Sequence, residues 1–402
     1  MEAEISLADL HSGLSRGEFI YYYQPIFSLV NGRICGAEAL LRWRRPDGTL
    51  RSPAAFIPLA EETGFITELT RAMYPRLIAD LECMAPSEHL ITTYLNLCSH
   101  ELESDHLALE IGESLAKTGC QPRCLGVEIV ERVLMPPNAR IRNSIYEIAE
   151  QGLPLVLNDF SAGNTTLNYL SQLPLSAIKL AMNIVQRAPL SRMDFRVMRH
   201  LVSMGHQLRL DVIAEGIEND ELYNLTLSTG CSAAQGYLFS YPLPLEEFCA
   251  LVEQKPRWTN YPFGLEYLAQ IDHIDFRRDV IRGALTLYTT SDADIRQRAL
   301  ERLPLLGVDE CLLAEWYNGI GQEWNTQPGF AELGQVHAEF HATAIALIQA
   351  AQDQASLERI DALIDNLDKL STEIMRHVQK FAIAGLRQHY RLGKAFAGRA
   401  DG

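Results

Sequence analysis

The feature that most constrains the fold of this chain is an alternation. Between residues 19 and 239, short β-rich runs are separated by amphipathic stretches. The runs cover 19–29, 34–41, 90–97, 124–130, 153–159, 177–180, 208–214 and 233–239. Several lack any polar break, such as Leu153-Pro-Leu-Val-Leu157. Parallel strands buried on both faces read this way. Helical spacing of apolar residues marks 53–81, 141–151, 193–204 and 220–227. Eight strands with interleaved helices predict an α/β fold, a (β/α)8 TIM-like barrel.

The barrel is expected to occupy residues 1–254. Residues 255–264 carry two prolines and a glycine and read as a linker. Beyond them strand-like runs are few. Long amphipathic stretches at 265–287, 293–303, 330–351 and 357–383 predict an all-α four-helix bundle over 265–392. Residues 393–402 read as a flexible tail.

Composition narrows the function. A formal net charge of −16 argues against a broad nucleic-acid-binding surface, which needs clustered positive charge. It leaves room for an anionic ligand in a locally basic pocket. Met-Glu-Ala-Glu-Ile-Ser at the N-terminus lacks the layout of a signal peptide, and no apolar run is long enough for a membrane span. Eight cysteines are scattered without a paired framework, which suits a reducing cytoplasm.

Polar residues just past the ends of barrel strands are where such folds place chemistry. Here they fall in Gly36-Ala-Glu-Ala-Leu-Leu-Arg-Trp43, Tyr94-Leu-Asn96, Val127-Glu-Ile-Val-Glu131, Asn158-Asp-Phe160, Ile178-Lys-Leu-Ala181, Ala214-Glu-Gly-Ile-Glu218 and Gln235-Gly-Tyr-Leu-Phe-Ser240. In this order the segments resemble the EAL family, which binds and usually hydrolyses the bacterial second messenger cyclic di-GMP. The resemblance spans roughly residues 17–253. It implies a site at which two Mg²⁺ or Mn²⁺ ions activate water on a phosphodiester. Glu38, Asn96 and Glu128 would serve the first ion. Asp159 would serve the second, and the position held by Asn158 normally bridges both. Lys179 would position water or offset phosphate charge, and Glu215 would be a further acidic group. Gln235 would hold ligand or water, Glu131 would steady a loop, Arg42 would contact a phosphate, and Gln24 would line the base pocket.

Two positions depart from that pattern. The family's paired aspartates read Asn158-Asp159 here, and its Lys-Ile-Asp reads Lys179-Leu180-Ala181. A neutral amide bridges two cations poorly, and alanine offers no donor. Ser161 also stands for a glycine in Asp159-Phe-Ser-Ala-Gly163, and Tyr241 for an arginine after Phe239-Ser240. These departures imply impaired hydrolysis with nucleotide binding retained.

In the C-terminal half, His337 and His341 lie one turn apart on a predicted helix. Cys311-Leu-Leu-Ala-Glu-Trp-Tyr317 precedes them, and His273 lies in the first helix. This order resembles the chemoreceptor zinc-binding domain, CZB, with Ala314 where that family has glycine. Three imidazoles and a thiolate make a closed tetrahedral Zn²⁺ site.

Three functional readings remain open at this level. The first is a zinc- or redox-responsive effector or scaffold that binds cyclic di-GMP without cleaving it. The second is an active phosphodiesterase, forming linear pGpG with a modified metal set. The third is a protein-interaction module with no nucleotide. A homodimer is expected in each, and a regulatory protein partner is compatible with each.

Overall fold

The structure is a computed structural model. It describes residues 5–30, 32–84, 90–104, 106–134, 139–161, 170, 172–256, 258, 265–318 and 320–397. Most of the expected linker and part of the loop after Ser161 lie outside these residues.

Strand β1 (Phe19–Ser28) pairs antiparallel with β2 (Ile34–Arg44), which sets Gln24 opposite Glu38. The two-residue β3 (Leu50–Arg51) adds to the far end of β2. Then β4 (Thr92–Leu97), β5 (Leu125–Val130), β6 (Leu155–Phe160), β7 (Ala177–Leu180), β8 (Asp211–Ala214) and β9 (Ala233–Ala234) follow in parallel order. Strand β9 pairs back onto β1 and closes an eight-stranded barrel. Strand β1 runs against both of its neighbours. The connection from β1 to β2 explains this, because it is too short for the crossover that a parallel pair needs.

The barrel interior is filled by Ile26, Val156, Ala177, Ile213 and Ala233, with Cys35 and Tyr94 packed against them. Glycine is required beside Tyr94. A Cβ on Gly126 would come within 2.4 Å of the Tyr94 ring.

Several elements differ from the sequence expectation. The run expected at 208–214 is a strand only over Asp211–Ala214. The amides of Leu208 and Leu210 instead donate into the end of the Arg192–Gln207 helix. The run at 233–239 is a strand only at Ala233–Ala234. Gln235 and Leu238 exchange backbone hydrogen bonds with Ile217 rather than extending the sheet. The helical stretch at 53–81 is divided, with Gly64 in the left-handed region at φ 73° between Ile57–Glu62 and Phe65–Met84.

A second compact unit is helical. It contains Leu265–Thr289, Ala293–Glu301, Leu312–Asn318, Phe330–Gln352 and Leu357–Ala397, which form a helical bundle with its own core. Buried positions recur at helical spacing: Val280, Ala284 and Leu287; Leu333, Phe340, Ala344 and Leu347; Ile360, Leu367, Ile374 and Val378. The last helix runs on through residue 397, into the segment expected as a tail. Among the described residues, no helix is long and apolar enough to cross a membrane.

Candidate functional site

The carboxyl ends of the barrel strands bring their polar side chains into one connected web. At its centre is Lys179, on β7, fully buried. Its Nζ lies 3.0 Å from Glu38 Oε2, 2.9 Å from Glu128 Oε2 and 2.7 Å from Glu215 Oε1. A buried ammonium persists only when carboxylates surround it. Burial alone would strip its proton, but Glu128, Glu215 and Glu38 outweigh that and hold its pKa well above the ordinary lysine value.

Three carboxylates face one ammonium, and their proton affinities split accordingly. Burial, reinforced by Glu38 and Glu215 and opposed by Lys179, pushes Glu128 up to about 8. Burial also raises Glu215. Burial works against the charge on Glu38 too, yet Lys179, Gln235 and Asn96 together hold it below the usual carboxylate range.

Amides complete the web. Asn96 donates to Glu38 Oε1 at 2.8 Å. Gln235 donates to Glu38 Oε2 at 2.7 Å and to Gln24 Oε1 at 3.0 Å. Gln24 donates to the Ser240 carbonyl at 3.3 Å. Asn158 donates to Glu128 Oε2 at 2.9 Å and to Asn96 Oδ1 at 3.4 Å, and its own Oδ1 accepts from the Asp159 amide at 2.7 Å. Both ends of the Asn158 amide are therefore engaged.

Asp159 is exposed and sits in the left-handed region at φ 56°, where only the surrounding structure keeps a non-glycine residue. Glu131 lies outside the web, and its Oε2 accepts from the Ser161 amide at 3.3 Å. Arg42 is half-buried, with its guanidinium 5.9 Å from the Tyr22 ring centroid. Ala181 is buried at the start of the Met182–Arg187 helix and presents only a methyl group. Thus Gln24, Glu38, Asn96, Glu128, Asn158, Lys179, Glu215 and Gln235 come together, while Arg42, Glu131 and Asp159 flank them. Sequence reasoning gave no role to Tyr237, whose exposed ring stacks on Tyr241 beside this web. Its one signal was a place two residues beyond Gln235.

The helical unit carries a second cluster. The donor atoms of Cys311, His337 and His341 lie within 4.8 Å of one another, and Cys311 Sγ is 3.1 Å from His337 Nε2. His341 Nδ1 is 3.1 Å from the Leu306 carbonyl, which fixes the ring and leaves Nε2 buried without a hydrogen bond. His273 stacks on His337 at a centroid distance of 5.6 Å and also has two buried, unsatisfied ring nitrogens. Burial, with the neighbouring imidazoles, pushes His273 down to about 3 and His337 to about 4. Burial lowers His341 as well. The rings are therefore neutral near pH 7, the state in which imidazole ligates a metal.

Residues 7–242 match the EAL domain, more than half of the chain, and the chain belongs to that family. It is 33% identical over 244 residues to the cyclic di-GMP phosphodiesterase NbdA of Pseudomonas aeruginosa, covering 60% of this chain and 31% of NbdA. It is 31% identical over 243 residues to the cyclic di-GMP phosphodiesterase RocR of the same organism, covering 60% of this chain and 62% of RocR. The chain thus spans less than two thirds of either relative. Among solved structures it resembles the PaMucR phosphodiesterase in complex with c-di-GMP, at 27% identity and a TM-score of 0.57, covering 60% of this chain and 98% of that one.

Proposed function

We propose that this chain is a cyclic di-GMP signalling protein whose barrel binds the nucleotide without hydrolysing it, and whose helical unit holds zinc. The observation that carries the first half is the state of Asn158 and Ala181. A pair of divalent ions needs oxygen donors on both sides. Glu38, Asn96 and Glu128 supply donors for one hard cation. On the other side Asp159 stands without a carboxylate at 158 or any donor at 181. Asn158 is held by its hydrogen bonds to Glu128, Asn96 and the Asp159 amide. The donor set fits one cation and does not fit two. Lys179 meanwhile pairs with Glu215 as well as with Glu38 and Glu128, and Asn158 donates to Glu128, so the protein supplies part of the positive charge and hydrogen bonding these carboxylates need.

Binding draws support from retained groups. Gln24, Arg42 and Gln235 stand at the barrel mouth, and the PaMucR structure shows a related barrel in complex with c-di-GMP. A calorimetric titration of the full chain with cyclic di-GMP tests this, with a saturable exotherm expected and its weakening by Arg42→Ala. A flat titration of the unmodified protein contradicts it. Restoring both donors, with Asn158→Asp and Ala181→Asp, is expected to raise turnover above that of the starting protein.

For the helical unit, the clustered donor atoms of Cys311, His337 and His341 fit a soft-to-borderline cation, and His273, outside that cluster but stacked on His337 with both ring nitrogens buried and unsatisfied, stands beside it. Cys311, His337, His341 and His273 would be its ligands. A zinc ion held by four protein ligands has no open position, so it supplies structural cross-linking and a zinc- or oxidant-sensitive thiolate rather than hydrolysis. Exposed Ile274, Leu285 and Ile345 on its helices support self-association through this unit, and a regulatory protein partner belongs to the same reading.

A further inference from the structure

Two tyrosines at the barrel mouth play no part in the polar web. Tyr237 and Tyr241 are 52% and 64% exposed, yet their rings stack on each other with centroids 4.3 Å apart and planes 28° from parallel. The backbone beneath them is fixed. Gly236 packs so closely on Ile217 that a Cβ there would lie 2.1 Å from the Ile217 carbonyl oxygen. Leu238 donates its amide to that same oxygen at 2.9 Å. The Ser240 hydroxyl donates to the Tyr241 carbonyl at 2.7 Å. The result is a solvent-facing aromatic stack on a fixed backbone.

Its location is specific. Ser240, next to Tyr241, accepts the hydrogen bond from Gln24. Arg42, half-buried, lies within electrostatic reach of the Tyr237 hydroxyl and of Glu38. The stacked pair therefore adjoins Gln24 and Arg42, two of the three groups assigned above to the nucleotide. The outer face of such a stack is that of one phenol ring, which can cover the six-membered ring of a purine base, and base–aromatic stacking needs no charge.

We infer that the Tyr237–Tyr241 pair is a stacking platform for one guanine of the bound dinucleotide, and that Tyr241 is a specificity-determining residue for ligands bearing an aromatic base. The inference rests on the nucleotide-binding reading above. Tyr241 stands where the EAL resemblance leads one to expect an arginine, so an uncharged face replaces a cation at this point of the mouth. A preformed surface also limits the ordering cost of binding.

Calorimetric titration of the full chain with cyclic di-GMP, in parallel for the starting protein, Tyr241→Phe, Tyr241→Ala, Tyr241→Leu and Arg42→Ala, tests it. Tyr241→Phe is expected to bind within about twofold of the starting protein, because the π-face is kept. Tyr241→Ala and Tyr241→Leu are expected to bind at least about tenfold more weakly, the lower part of the range for a lost base stack. Circular dichroism of each variant is expected to match the starting protein. If the starting protein binds and Arg42→Ala weakens it while Tyr241→Ala does not, the platform is overturned and the nucleotide reading stands. Equal loss in Tyr241→Phe and Tyr241→Ala also overturns it, since a ring face would then not be what matters. If the starting protein itself does not bind, the nucleotide reading fails and takes this inference with it.

Discussion

At the scale of single residues, Asn158 decides how the barrel mouth is held together. Its amide donates at 2.9 Å to a carboxylate oxygen of Glu128. An aspartate in its place would set two carboxylates against each other in a closed site. An unpaired buried charge of this kind costs about 3–5 kcal/mol. Asn158→Asp is therefore expected to lower the urea midpoint of the barrel in chelator and to recover part of the loss on addition of Mn²⁺. Equal stability in the two conditions would count against the role given to the amide.

Glu101 offers a pH-dependent test away from the site. It is buried, accepts from the Cys98 amide at 2.6 Å and from the Thr70 hydroxyl, and burial pushes it from 4.5 up to about 7. Because its folded value is raised, the folded protein holds this proton more tightly than the unfolded chain. The stabilisation is complete below about pH 4.5 and is lost as pH rises through about 7, a change of about 3 kcal/mol. Urea midpoints between pH 5 and 8 are expected to fall for the starting protein relative to Glu101→Gln. Parallel curves would show that Glu101 does not titrate in this range.

At the scale of elements, the barrel closes through a strand of two residues, Ala233–Ala234. The chain that follows is held by Ile217 rather than by a ladder. Gly236→Ala is expected to destabilise the barrel by about 1–3 kcal/mol or more, because the atoms a Cβ meets are backbone and cannot move aside. Gly48→Ala meets nothing within 4 Å and is expected to cost only its left-handed φ, on the order of 1 kcal/mol. Matching losses in the two variants would argue against close packing at Gly236.

How far these elements were legible in the sequence follows from what signals them. Apolar runs marked every strand of the closed barrel, because strands buried on both faces leave a compositional trace. The ends of β8 and β9 were misjudged, since Leu208 and Leu238 are apolar but spend their amides on a helix cap and on a loop. The antiparallel course of β1 was not anticipated, because it depends on loop length rather than on pattern. The acidic and amide residues of the mouth were all nameable beforehand. What the sequence could not supply was their mutual engagement, with Lys179 among three carboxylates and Asn158 acting as donor, since that rests on distances across five strands. His273, His337, His341 and Cys311 were nameable from order and spacing, but the stacking of His273 on His337 was not.

At the scale of the whole molecule, barrel and helical unit each have their own core. Zinc binding to the helical unit would couple to the folding of that unit. Removing zinc with a strong chelator is expected to lower the thermal transition of the helical unit. Cys311→Ala is expected to reproduce that shift without chelator and to weaken zinc binding. Unchanged zinc stoichiometry and affinity in Cys311→Ala would remove the thiolate from the ligand set.

Whether the barrel cleaves its nucleotide is decided by chromatography of the full chain after incubation with cyclic di-GMP and Mn²⁺ or Mg²⁺. Intact cyclic nucleotide is expected to be recovered, with no linear dinucleotide above the level of a Glu38→Ala control. Linear product clearly above that control would mean that Asn158 and Ala181 still permit a working metal centre, and the chain would then be a phosphodiesterase.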